Sequence, residues 1–455
     1  MIEAVGANNS GYIEIETFMS GANRLRFVHL SDIHFNHRAA QIGFDPDREL
    51  RNSVTRDIAK MCGELGRADA ILVTGDIAYA GKRTEFEEAA SWLEEVCEAA
   101  GCGSEDVLMC PGNHDVDQGV IVENPLIQDG HDAVRRGKNH FDRDQALTRR
   151  LIQPDACSLF YLPISTYNEF AARYQSSFFA DANTFVWEHD FALNDGTTLR
   201  IRGLNTALLS GLSDVEGSLF LGSRAWTLPC QTGIEYLVMA HHPPMWLADQ
   251  KEAERAFNNS ARIQLFGHEH DQRIVPGRDW IKLFAGSVNP HRAEPNWRPG
   301  YNIIEVYVDP GLPRKLKVEV HARDWQGDPA QFRSIEDVGY DPIHRADIKL
   351  PNLPAAMFNQ ARPVAAAPPG PPVSTVSSAM RATIVEPQHR FRLSVYRFFK
   401  LTLSQKNEIV GHLKLAEEND SRLTDVERFK LSLIRARDSG QMDALEDLMR
   451  KLEQE

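Results

Sequence analysis

The chain reads as an α/β fold. Two observations predict it. Short apolar, β-branched runs recur at Leu25–Leu30, Ala70–Thr74 and Val107–Met109, with amphipathic helical stretches between them. Each run also ends in polar groups, which places side chains beyond the carboxyl ends of strands, where open α/β sheets bind ligands. At 455 residues the chain exceeds one compact core, so two or three domains are expected.

In order, residues 1–24 form an N-terminal extension in which Tyr12–Glu16 could add an edge strand. Leu25–Leu30 then delivers Asp32 and His34, two residues apart and so on one face of an extended chain. His37 is read as a loop residue. Helical periodicity runs from about 46 to 64, with Ile58 and Met61 apolar. Ala70–Thr74 leads into Gly75-Asp76-Ile77-Ala78-Tyr79. Thr84 is expected to cap a helix from Glu85 to Ala99, closed by Gly101. The next strand carries Gly112-Asn113-His114-Asp115. An Asn and a His side by side at a strand end are poor packing material, and the Gly before them permits a sharp turn.

Residues 116–183 break the pattern with a helical insertion that includes Arg135, Arg136, Lys138, Arg143, Arg149 and Arg150. Two readings of it stay open: a lid over the site, or a solvated excursion with its own small core. Residues 185–191 and 199–205 flank Asn194-Asp195-Gly196 as a hairpin. Tyr236–Ala240 ends in His241-His242-Pro243-Pro244, and Ile263–Phe266 ends in Gly267-His268-Glu269-His270. Strands at 280–285, 301–308 and 315–321 complete a domain over 25–350. A Pro/Ala/Ser-rich linker follows over 351–388, then a separate helical unit over 389–455. Ser404 should cap a helix to Leu415, Thr424 one from Asp425 to about Asp438, and Gly440 should break the chain before a third from Asp443 to Leu452.

Hydrophobic content of 42% and charged content of 25% are those of a soluble globular protein. A net charge of −14 argues against an extended face for nucleic acid. No signal peptide or membrane span is visible. Six cysteines without a CxxC pair read as reduced thiols, so a cytoplasmic location is expected.

The strand ends carry Asp32/His34, Asp76, Asn113/His114, His241 and His268/His270. Holding two cations about 3.5–4 Å apart needs a ligand that touches both, which a carboxylate does best, and Asp76 stands alone at its strand end. Histidines with an Asn carbonyl and a second Asp suit Mn²⁺, Fe²⁺/Fe³⁺, Zn²⁺ or Ni²⁺ better than Mg²⁺ or Ca²⁺. No thiolate joins the set, unlike a structural zinc site.

Taken in order, Asp-x-His, Gly-Asp, Gly-Asn-His-Asp, His-His-Pro-Pro and Gly-His-Glu-His resemble the calcineurin-like metallophosphoesterase superfamily, over roughly residues 25 to 325. The style is nearest its bacterial class III cyclic-nucleotide phosphodiesterases. The resemblance implies a four-layer αββα sandwich of two mixed β-sheets with helices outside. It implies one metal on Asp32, His34, Asp76 and His270, and another on Asp76, Asn113, His241 and His268. His114 would be the acid that serves the leaving oxygen, and Asp115 would orient His114. The implied reaction is in-line attack on phosphorus by a metal-bound hydroxide, with a nucleotide or cyclic nucleotide as substrate. A nuclease acting as a conflict or antiphage effector is a second reading, and an inert scaffold a third. Gly75-Asp76-Ile77-Ala78-Tyr79 also matches the Gly-Asp-x-x-Tyr of purple acid phosphatases. Those enzymes lack the His of Asp-x-His, so Tyr79 is expected as packing or pocket wall. The C-terminal unit resembles helical adaptor domains of bacterial conflict systems, which implies a protein partner.

Overall fold

The computed structural model describes residues 24–36, 45, 47–178, 186–291, 298–309, 311–337, 339–353 and 387–453. Tyr12–Glu16, His37 and nearly all of the linker lie outside them.

Two mixed sheets form the body. In the first, β1 (Leu25–Leu30), β2 (Ala70–Val73) and β3 (Val107–Met109) run parallel. Its order is β12-β11-β10-β1-β2-β3, with β13 also on β11. Here β10 is Gly300–Asp309, β11 Lys315–Gly327, β12 Ala330–Ser334 and β13 His344–Lys349. β10 lies antiparallel to β1, with Ile304 opposite Phe27. The second sheet has the order β4-β5-β6-β7-β9-β8. Its strands are β4 (Val186–Ala192), β5 (Thr198–Leu204), β6 (Ile234–Met239), β7 (Ala261–Phe266), β8 (Arg273–Pro276) and β9 (Ile281–Phe284). β5, β6, β7 and β9 are parallel, and β4 and β8 are antiparallel edges.

Continuous apolar strands need cover on both faces, and they have it. Between the sheets Phe27 meets Phe191 edge-on at 5.2 Å. Outside the first sheet lie α1 (Arg48–Leu65), through Val54 and Ile58, and α2 (Arg83–Ala100), through Ala89, Leu93 and Val96. α2 starts at Arg83, two residues before the expected Glu85, and Lys82 rather than Thr84 takes the cap position. The Glu85 carboxylate reaches back to the amides of Lys82 and Ala80, each at 3.0 Å, and fixes the earlier start. Helices α3 (Gln118–Glu123), α4 (Pro125–Arg135), α5 (His140–Leu151), α6 (Pro154–Tyr161) and α7 (Ser165–Ala171) make up the insertion. Ile127, Val134, Phe160 and Tyr167 join the same buried cluster as β1–β3, and the Tyr167 hydroxyl donates to the Met109 carbonyl at 3.1 Å. The insertion is therefore built into the principal core, and among its described residues there is no separate one. α8 (Ser223–Trp226) and α9 (Gln250–Ser260) cover the second sheet, where Phe257 packs with Val238 and Phe266. The layers are helix, sheet, sheet, helix.

The C-terminal unit has four helices where the sequence reading gave three. They are α10 (Pro387–Lys400), α11 (Leu403–His412), α12 (Asp425–Asp438) and α13 (Met442–Leu452). Their core includes Phe398, Ile409, Phe429, Leu433, Leu445 and Met449. Thr424 caps α12 through the Glu427 amide, as expected, but α11 is capped by Thr402 and not by Ser404. The unit was expected to stand apart, yet α10 faces two ways. Phe398 turns into the bundle, while Arg392 donates to Asp106 at 2.7 Å and the Tyr396 hydroxyl to Glu94 at 2.6 Å. Among the described residues no helix is long and apolar enough to cross a membrane. All six cysteines are free; Cys230 is exposed, Cys102 half-buried and the others buried.

Candidate metal centre

Strand ends place the polar residues, and the backbone there is strained. Asp32, His34, Asp76, His268 and His270 have positive φ, from 52° to 72°. They are five of the eight non-glycine residues in that region among those described. The left-handed region costs an L-residue roughly 1–2 kcal/mol, so it persists only where the surroundings impose it. Here they do. The amides of Asp32, Ile33 and His34 donate to the carbonyls of Gly75, Asp76 and Asp76 at 3.0, 2.8 and 3.0 Å. The two strand-end loops thereby lock each other. Gly112 is needed for a different reason: a Cβ there would lie 2.0 Å from Asp76 Oδ1.

The eight residues from Asp32 to His270 named as ligands or acid converge. Asp76 Oδ2 lies 3.3 Å from His34 Nε2 and 3.3 Å from His241 Nε2. Asp32 Oδ1 is 3.2 Å from His270 Nε2. His241 Nε2 is also 3.2 Å from Asn113 Oδ1 and 3.3 Å from His268 Nδ1. The His114 ring lies 4.9 Å from that of His34, and its Nδ1 donates to the Tyr79 carbonyl at 2.8 Å. Asp115 sits beneath and does not meet the His114 ring. Its carboxylate accepts from the amides of Gly112 at 2.9 Å and Ala78 at 2.8 Å, so it pins the loop that carries His114. The sequence reading passed over His242. It is buried, with Nε2 3.2 Å from Asn113 Oδ1, and the only signal for it was the His-His doublet.

Several groups with lone pairs suited to a cation face one another across the centre. Asp32 Oδ1 is buried and has no hydrogen-bond partner despite its proximity to His270. Three sets, Asp32/His34/His270, Asp32/Asp76/His241 and His241/His242/His268, each bring their donor atoms within 4.8 Å of one another. This chemistry fits transition-metal cations. The electrostatics agree. Burial opposes ionisation of Asp76, yet His241, His34 and His114 hold its carboxyl well below the usual range. Burial would lower His241, but Asp76 and then Asp32 lift it to about 9. Burial, with the charge of His241, pushes His268 down to about 4. Burial and the nearby Asp76 push Asp115 up to about 7, against the amides that bind it.

A cleft of about 460 Å³ opens over the centre, lined by Tyr79, Asn113, His114, Leu212, Trp246 and His268 among others. Tyr79 is 44% exposed and packs on His114 at 5.2 Å, as a wall of this cleft. The insertion contributes Val116, Asp117, Gln118 and Gly119. Its arginines do not line the cleft. Arg135 is tied to Asp214 and the Leu209 carbonyl, Arg136 to Asp132 and Arg150 to the Ala146 carbonyl.

Among solved structures, the chain is similar to a Vps29 double mutant from Entamoeba histolytica, at 11% identity and TM-score 0.30, over 71% of this chain and 100% of that one. It is also similar to GAP50 of Plasmodium, at 10% identity and TM-score 0.36, over 77% and 100%. A third is a putative 5'-nucleotidase from Staphylococcus aureus, at 12% identity and TM-score 0.32, over 74% and 58%. No curated protein matches significantly. The sequence profile of the GTPase-associated adaptor domain matches residues 390–451. That of the calcineurin-like phosphoesterases matches residues 25–272, over half of the chain, and runs through every strand end described above. The chain therefore belongs to the calcineurin-like phosphoesterase family and ends in a GTPase-associated adaptor domain.

Proposed function

We propose that the protein is a dinuclear-metal phosphodiesterase acting on a nucleotide or cyclic nucleotide. The observation that carries the reading is the position of Asp76 Oδ2, equally distant from a histidine of each donor group. Asp32, His34, Asp76 and His270 would hold one ion, and Asp76, Asn113, His241 and His268 the other. Mn²⁺, Fe²⁺/Fe³⁺, Zn²⁺ or Ni²⁺ suits these donors. When bound, such a pair neutralises phosphate oxygens and acidifies water.

The rest is done by side chains of this chain. His114 donates its Nδ1–H to the Tyr79 carbonyl, which leaves Nε2 as the nitrogen that holds or delivers a proton to a leaving oxygen. Asp115 fixes the loop beneath it. Arg135, Arg136 and Arg150 of the insertion are paired within the protein, which favours a small substrate over a nucleic acid. The adaptor domain supports recruitment by a protein partner, and free thiols suit the cytoplasm.

A panel assay with Mn²⁺ tests this: bis-p-nitrophenyl phosphate, cyclic nucleotides, and labelled single- and double-stranded DNA and RNA. Turnover of the first two without cleavage of the polymers is expected. Cleavage of the polymers would make the protein a nuclease. Inactivity on every substrate would return the scaffold reading.

A further inference from the structure

His242 is buried to 1% exposure beside the proposed centre. Its surroundings decide which of its nitrogens carries the proton. Thr206 Oγ1 accepts from the His242 backbone amide at 3.1 Å and lies 3.0 Å from His242 Nδ1. Thr206 is itself 2% exposed, and among the described residues its hydroxyl has no other hydrogen-bond neighbour. A buried hydroxyl proton left without an acceptor is costly. That proton therefore goes to His242 Nδ1. The imidazole is then protonated at Nε2 and donates to Asn113 Oδ1, 3.2 Å away.

The consequence falls on Asn113. A carboxamide can present its oxygen or its NH₂ to a neighbour, and only the oxygen binds a cation. We infer that His242 is a positioning residue: with its Nδ1 fixed by Thr206, it donates from Nε2 to Asn113 Oδ1 and so turns that oxygen toward the ion site shared with His241 and His268. His242 is thus not a ligand, although its nitrogen lies close to theirs. The inference rests on the proposed dinuclear reading. Hydrogen-bonding partners of metal ligands typically matter 10- to 100-fold in metal affinity.

The test is calorimetric titration of Mn²⁺ into the full chain after chelator stripping, with thermal melts of each variant as a folding control. The parent should bind two ions per chain. H242L should keep one ion within about threefold and weaken the other by 10- to 100-fold. H242Q, which retains an N–H donor, should bind both nearly as the parent does. T206V frees Nδ1 to take the proton and should weaken the same single site; it decides the matter if H242L does not fold. Unchanged binding in T206V and in folded H242L overturns the inference. So does a folded H242Q as weak as H242L, which would make the imidazole itself a ligand. A parent that binds fewer than two ions overturns the dinuclear reading beneath it, and that is seen before any variant is made.

Discussion

Gly112→Ala is the sharpest perturbation. The added Cβ would sit 2.0 Å from Asp76 Oδ1, 2.7 Å from its Cγ and 2.6 Å from its backbone nitrogen. Ordinary contact begins at 3.4 Å, so the carboxylate must retreat by about 1.4 Å, the difference between 3.4 and 2.0. Rotating Asp76 does not suffice, because its own backbone nitrogen is also too close. Nor can residue 112 move freely, since its amide is held by Asp115 at 2.9 Å. Overpacking of this kind costs about 1–3 kcal/mol in stability. The effect on function should be larger, because a reacting group displaced by about 1 Å can lose on the order of 10²-fold in rate. Activity on bis-p-nitrophenyl phosphate with Mn²⁺ and a thermal melt read the two effects. Gly63→Ala is the control: its Cβ meets nothing within 4 Å, and in a helix the change should be neutral or stabilising by up to ~1 kcal/mol. A folded G112A enzyme with parental rate would refute the claim that this close approach sets Asp76.

His114→Ala should lower kcat on the order of 10²- to 10⁴-fold while metal content stays near parental, read by metal analysis beside the assay; retained turnover would remove His114 from the reaction. Arg392 and Asp106 pair at 2.7 Å with both side chains about 10% exposed. Arg392→Ala removes the short charged partner of a buried carboxylate that keeps only the Gly103 amide and a longer contact to His389, and should destabilise the full chain by about 2–4 kcal/mol in urea melts, with partial recovery in Arg392→Met/Asp106→Asn. A loss below about 1 kcal/mol would mean that this pair does not hold the adaptor domain in place. Burial would raise the Glu305 carboxyl, but His321 and Arg26 hold it down at about 2, below its ordinary 4.5. Its contribution is therefore complete above about pH 4.5 and lost as pH falls through about 2. Between pH 6 and pH 3 the parent's urea midpoint should drop further than that of Glu305→Gln; equal drops would contradict the assignment.

The parts of the fold legible in the sequence were those buried on two sides. β2 and β3 are continuous apolar runs, and β1, β6 and β7 are mostly apolar ones; each stops where a polar side chain turns toward the centre. Edge strands were harder. β8 is largely exposed and ends in Pro276, and β13 reads His344-Arg345-Ala346-Asp347-Ile348-Lys349, so neither carries an apolar run. α10 went unassigned within the helical unit, and its first two residues fell in the linker, because it begins at Pro387 and continues with Gln388-His389-Arg390; Val395 and Phe398 mark its buried side only once its partners are seen. At the centre, residue types and spacing were enough to name the converging groups. They could not show that five of them take left-handed backbone, which depends on how the loops after β1 and β2 lock together. Nor could they show that Asp115 serves the loop rather than the His114 ring, because its partners are backbone amides. His242 escaped for a like reason: its role comes from Thr206, 36 residues away.

The most direct measurement is anomalous diffraction from crystals grown with Mn²⁺. Two peaks about 3.5–4 Å apart are expected, with Asp76 between them touching both. A single peak, or Asp76 in contact with neither, would contradict the account.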